Sequence, residues 1–318
     1  MKKYILFYLL LFLQNGWASE LDSLHYQHYF KRQFLLIEDD CDACGCSASG
    51  GSMGFSSMLN SNFVCVRYFY QSYRSNDKLY TNSVWHNENF NTVQLWARIP
   101  VLKKIQLTVL APYHFNNRTT DSGNQSISGI GDVTVLGMCS IYQTQKDSAT
   151  VRHNVQLGAG VKAPIGKFDE KNNGSVNPSF QLGTGSWDYL IASEYVLRYR
   201  KFGLNTMANY IVKTENEKNY RFGNQWNYAG TFFYVWEKDL LSLAPQLGIA
   251  GEVYESNVQH KQRVRDTSGD VLFGKIGFEI NRKKFSFGAN TMFPIQQNLN
   301  GGKIEAQYRL SFNLNYTL

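Results

Sequence analysis

The last sixteen residues, Lys303 to Leu318, alternate without interruption between apolar and polar side chains. Ile304, Ala306, Tyr308, Leu310, Phe312, Leu314, Tyr316 and Leu318 share one face of an extended strand; Lys303, Glu305, Gln307, Arg309, Ser311, Asn313, Asn315 and Thr317 share the other. Such a strand is longer than a soluble sheet usually uses. Its length suits a tilted crossing of a bilayer, with lipid against one face and a wet lumen against the other.

The opposite terminus carries an export address. Lys2 and Lys3 precede an apolar run from Tyr4 to Leu13, and Gly16-Trp17-Ala18 offers small residues where a signal peptidase cuts. The run is too short to span a membrane as a helix. Residues 1–18 are therefore expected to be a leader, residues 19–61 a periplasmic or plug-like segment rich in cysteine, and residues 62–318 the membrane body. A chain that enters a bilayer without an apolar helix must do so as a closed barrel, the other arrangement that satisfies every backbone amide in hydrocarbon. The fold class read from this is all-β, a transmembrane antiparallel β-barrel of about twelve strands in the bacterial outer membrane.

Composition fits that class. The chain is 15% aromatic, with 20 Tyr and 21 Phe, yet polar on average, with a mean hydropathy of -0.35. A barrel requires this combination, because half of each strand faces water and aromatic girdles mark both interfaces. The net charge of +7 is spread through turns, loops and inward positions. A nucleic-acid partner would require clustered basic residues, so the expected partners are outer-membrane lipid and a small-molecule solute; a periplasmic partner and a homo-oligomer stay open.

Alternation along the chain gives an even number of strands, with short turns such as Asn281–Lys284 and Tyr199–Lys201 between long polar loops. The long loops are expected over Arg74–Asn89, His114–Ile130, Pro164–Gly185, Lys213–Gly223, Glu255–Gly269 and Pro294–Gly302. Short turns face the periplasm in such barrels and long loops face outward. The strand phase directs Arg98, Arg152, Lys162, Glu252, Lys275, Glu279, Glu305 and Arg309 into the lumen. Two readings follow: the charges solvate and pair within the interior, or Arg98, Arg152, Lys162 and Arg309 form a basic rung that selects anions.

Two blocks stand out, Ser128-Gly129-Ile130-Gly131-Asp132 before a strand and Asn177-Pro178-Ser179-Phe180-Gln181-Leu182-Gly183-Thr184-Gly185-Ser186-Trp187-Asp188-Tyr189. From Phe90 to the C-terminus the chain resembles the outer-membrane channel family named after the meta-pathway of phenol degradation. The resemblance implies a barrel that passes small, often hydrophobic or aromatic, compounds across the outer membrane. Taken on its own residues, the glycine-rich stretch Gly183–Ser186 permits either a loop that re-enters beside the next strand or a plain turn before a girdle tryptophan.

Outside that resemblance lies Cys41-Asp42-Ala43-Cys44-Gly45-Cys46. Three thiols at C-x-x-C-x-C spacing can converge on Cu(I) or Zn(II), with His25, His28 or Cys65 as a fourth ligand; a disulfide within the cluster is the alternative in an oxidising compartment. By phase Cys65 faces the lumen and Cys139 the lipid. No histidine and serine stand two apart on a strand, and His153 is the sole histidine expected inside one, so no nucleophile and base are expected and catalysis is not. Two functions remain: a channel for small solutes, or a membrane-anchored protein whose cysteine segment binds metal or docks a partner.

Overall fold

The computed structural model describes residues 57–76, 84–120, 123–144, 150–171, 178 and 180–318. Twelve long antiparallel strands form one closed barrel: β1 Phe63–Ser75, β2 His86–Leu102, β3 Ile105–Thr120, β4 Val133–Gln143, β5 Val151–Ala163, β6 Asp188–Tyr199, β7 Phe202–Lys213, β8 Gln225–Tyr234, β9 Leu241–Tyr254, β10 Gly269–Arg282, β11 Phe285–Leu299 and β12 Ile304–Thr317. Each strand pairs with its neighbours in sequence, and β12 closes on β1 from Phe63–Thr317 to Ser75–Ile304. Closure leaves no unpaired edge to face lipid.

Alternating burial runs along the strands as the period-2 pattern requires. In β1, Phe63, Cys65, Arg67, Phe69, Gln71 and Tyr73 are buried while Val64, Val66 and Tyr68 are exposed. Exposed aromatics gather near both ends of the wall. Tyr199, Phe202, Trp236, Phe285 and Tyr316 lie at the short-turn end, and Tyr113, Phe115, Trp187, Tyr189 and Trp226 toward the long-loop end. An apolar band between two aromatic belts is the exterior a bilayer demands.

Two of the long loops expected from sequence are mostly strand. β3 continues to Thr120 and folds back as a hairpin with Gly123–Ile130, so His114 is a buried strand residue, bonded to Thr92 Oγ1 at 2.9 Å, and His153 is not alone inside a strand. β11 runs through Pro294 to Leu299. Its register with β10 shifts so that Phe273 faces Pro294 and Leu272 faces Gln296, a local irregularity of the kind that tolerates a proline in a sheet. The connection to β12 shrinks to a short turn in which Asn300, Gly301 and Gly302 all have positive φ. Polar composition hid both extensions, because above the membrane neither face of a strand needs to be apolar.

The alternation of β12 also breaks once. The register with β1 shifts between Ser72–Tyr308 and Tyr73–Ala306, leaving Gln307 as the extra residue of a β-bulge. Beyond it the phase reverses: Ile304 and Ala306 are buried with Tyr73, Phe273 and Met292, and Glu305 lies on the other face, half-buried against Arg74 at 2.8 Å. The inward placement expected of Glu305 is thereby corrected.

The residues just before β1 lie inside the short-turn end. Met58 N and Ser57 Oγ donate to the Glu279 carboxylate on β10, Asn60 Nδ2 donates to Ser286 Oγ at 2.8 Å, and Arg198 of β6 donates to the Met58 carbonyl. Strands on well-separated parts of the wall thus hold one short segment across the mouth.

Candidate functional site: the barrel interior

The interior holds charged side chains that are almost wholly buried, so each needs a counter-charge or a hydrogen-bond set to offset its desolvation. Three such ion-paired sets occur among the described residues. Arg98 on β2 reaches Glu194 on β6 at 2.8 Å and Gln156 at 2.6 Å. Arg309 on β12 makes a two-pronged contact with Glu252 on β9, at 2.7 and 2.8 Å, stands 4.3 Å over the Phe273 ring and donates to Tyr73 Oη. Lys162 on β5 bridges Asp132 at 3.1 Å and Asp188 at 2.7 Å. A planar guanidinium against a carboxylate fixes geometry as well as charge, which suits Arg98 and Arg309 to joining non-adjacent strands.

The third set brings the two sequence blocks together. Asp132 closes the first block; Thr184 and Asp188 belong to the second. The Asp132 carboxylate accepts from Gly166 N at 3.0 Å and from Thr184 N and Oγ1, both at 2.9 Å. Ser186 Oγ donates to Asp188 at 3.0 Å. A Cβ on Gly183 would sit 2.4 Å from Asp132 Oδ1 and 2.6 Å from Gly166 O, so glycine is what lets the loop approach the carboxylate this closely. The re-entrant reading of Gly183–Ser186 is the one the backbone adopts, and Trp187 behind it remains exposed.

That re-entry carries apolar side chains inward. Phe180 and Leu182 are buried among Phe69, Tyr73, Phe90 and Ile127. Phe180 stands edge-on to Phe90 with centroids 6.3 Å apart, and Arg118 lies 4.6 Å over its ring. The long-loop end of the barrel interior is therefore packed with aromatic and aliphatic groups bounded by fixed charges.

Arg98, Lys162, Glu252, Lys275, Glu279 and Arg309 are all buried. They do not form a basic rung: Arg98, Lys162 and Arg309 are each matched by carboxylate, while Arg152 is exposed at the short-turn end beside Arg198 in the register. Glu279 anchors the segment before β1. Lys275 stands apart, with Thr231 Oγ1 at 3.3 Å as its hydrogen-bond partner. Sequence reasoning missed Arg67, Asp132, Asp188 and Glu194. Phase alone could have placed Arg67, two residues beyond Cys65 on the same face, and Glu194 within its strand; Asp132 and Asp188 bound loops, where the pattern is silent.

Cys41, Cys44 and Cys46 lie outside the described residues. Cys65 is buried in the lumen wall and Cys139 is half-buried among outward residues; both are free. No group of three His, Cys, Asp or Glu that could hold a metal occurs among the described residues.

A family model described as a putative MetA-pathway of phenol degradation matches residues 90–295. A search of curated proteins gives no match. Among solved structures, the COG4313 outer membrane channel from Pseudomonas putida F1 aligns with a TM-score of 0.61 at 14% identity, covering 82% of this chain and 97% of that one. The β domain of a Bordetella autotransporter aligns at 0.47 and 10% identity over 81% and 100% of the two chains. A FadL homologue from Pseudomonas aeruginosa aligns at 0.37 and 10% identity over 87% and 98%. The first shares this fold; the other two are more distant and carry no argument.

Proposed function

Because this chain belongs to the family described as the putative MetA-pathway of phenol degradation, we propose that it is an outer-membrane channel for small, hydrophobic or aromatic solutes. The observation that supports this most directly is the barrel interior itself: internally paired charges at fixed positions, and between them a packed aromatic and aliphatic cluster that includes Phe69, Phe90, Phe180 and Phe273. A barrel serving only as an anchor has no need of apolar side chains delivered inward by a re-entrant loop. A transport role, not a catalytic one, accounts for an interior whose charged groups are chiefly committed to each other. The bonds from Ser57, Met58 and Asn60 to Glu279 and Ser286 hold the residues just before β1 across the short-turn mouth, which supports reading residues 19–61 as a periplasmic or plug-like segment. Reconstitution into planar bilayers tests the function. Single-channel conductance that rises when Glu279 is replaced by Ala supports a channel plugged from the periplasmic end, and silent membranes from both proteins overturn the channel reading.

A further inference from the structure

Three buried hydrogen-bond donors lack an acceptor or a counter-charge, and all three line one small polar cavity in the lumen. Arg67 on β1 is 4% exposed, its Nε has no partner, and its guanidinium lies 4.0 Å over the ring of Trp96. Trp96 is held edge-on by Phe63, with centroids 4.7 Å apart, and its Nε1 has no partner either. Lys275 on β10 is 5% exposed and makes one long bond, to Thr231. Neither cation forms an ion pair among the described residues, whereas Arg98, Lys162 and Arg309 each do. Glu279, Gln246, Asn290, Ser311 and Asn315 are among the residues of the remaining walls.

The Glu279 carboxylate lines the same space, but it accepts from Ser57, Met58, Asn60 and Ser286 and pairs with neither cation among the described residues. Two buried cations and an indole N–H around one space, with a single carboxylate already bonded elsewhere, cost free energy in the empty protein. We propose that this cavity is a binding site for the anionic head of a small carboxylate-bearing solute, with Arg67 and Lys275 as its charge partners and Trp96 Nε1 as a third donor. A carboxylate there restores neutrality and accepts from all three groups, and charge-assisted bonds of this kind are the strong ones. The unbonded amide oxygens of Asn290 and Asn315 on the same walls accept from water or from a hydroxyl carried by the solute. The site deepens the channel reading and rests on it, since it names the solute class as amphipathic monoanions.

The test uses the full-length barrel purified in detergent, with benzoate as probe and benzyl alcohol as its neutral counterpart, titrated by calorimetry at low salt. Benzoate is expected to bind at least about tenfold more tightly than benzyl alcohol. Lys275→Met and Arg67→Gln are each expected to weaken benzoate binding by about tenfold or more, with Lys275→Arg restoring most of it. Folding of every variant is checked by heat-modifiable gel mobility. Equal affinity for the two probes overturns the site, as does benzoate binding that survives Lys275→Met in a folded barrel. Conductance read on the same samples separates the hypotheses. A conducting barrel with no preference for benzoate refutes the site alone, and a silent barrel that binds benzoate refutes the channel reading alone.

Discussion

The rim around Asp132 and the chamber around Lys275 both bury a lysine, yet they treat it in opposite ways. At the rim, Lys162 stands between Asp132 and Asp188, and Asp132 takes three further hydrogen bonds from Gly166 and Thr184. In the chamber, Lys275 shares its space with a second cation, Arg67, and the Glu279 carboxylate on the same wall is bonded to Ser57 and Met58, so neither cation is ion-paired among the described residues. A saturated cluster holds a shape: here it fastens the loop that delivers Phe180 and Leu182 to the interior. An unsaturated one costs stability in the empty state and gains it when an anion arrives, which is how binding sites differ from structural ion pairs.

The comparison breaks if the two lysines respond alike to substitution. Lys162→Met strands two carboxylates in a buried cluster and is expected to cost about 3–5 kcal/mol, seen as a lower temperature for loss of the folded gel form and as protease cleavage in the 164–187 loop. Lys275→Met removes a charge that has no ion-pair partner among the described residues and gives up one long bond to Thr231, so thermal stability in the absence of ligand is expected to hold or rise. A loss there as large as that of Lys162→Met would mean that the chamber is structural after all.

A smaller effect probes the wall itself. Leu310 faces outward two residues beyond Tyr308, and Leu310→Arg is expected to cost about 2–4 kcal/mol near the bilayer midplane, measured by refolding into lipid vesicles against urea. Leu318→Arg, on the same face at the end of the strand and exposed, should cost at most about 1 kcal/mol, as position near the interface dictates. Equal costs at the two depths would contradict a membrane-spanning β12.

The smallest effect on stability belongs to the loops. An epitope inserted at Lys261, an exposed turn residue with φ of 65°, is expected to leave folding unchanged and to bind antibody on intact cells. The same epitope at Lys283, in the turn between β10 and β11, is expected to become reachable only after the outer membrane is opened. Surface labelling at Lys283 would invert the barrel and place the Asp132 rim on the periplasmic side.

What the chain reveals by itself is what depends on neighbours in sequence. All twelve strands were legible from alternation, because facing repeats every second residue and lipid tolerates few errors on the outer face. The inward position of Arg98, Lys162, Glu252, Lys275, Glu279 and Arg309 followed from the same phase. Legibility failed where that local rule lapses. Gln307 adds one residue to β12 and turns Glu305 to the opposite face, and above the bilayer the polar strands around Asn116 and Gln297 lose the apolar face that would mark them. Which inward charges meet was decided only by closure. Strand tilt and stagger carry Arg309 to Glu252 and Arg98 to Glu194 across non-adjacent strands, and leave Arg67 and Lys275 sharing one cavity whose single acid, Glu279, is bonded to the segment before β1 instead. Phase states the side of the wall on which a residue lies, and the shear of the closed barrel, a property of all twelve strands together, states what it finds there.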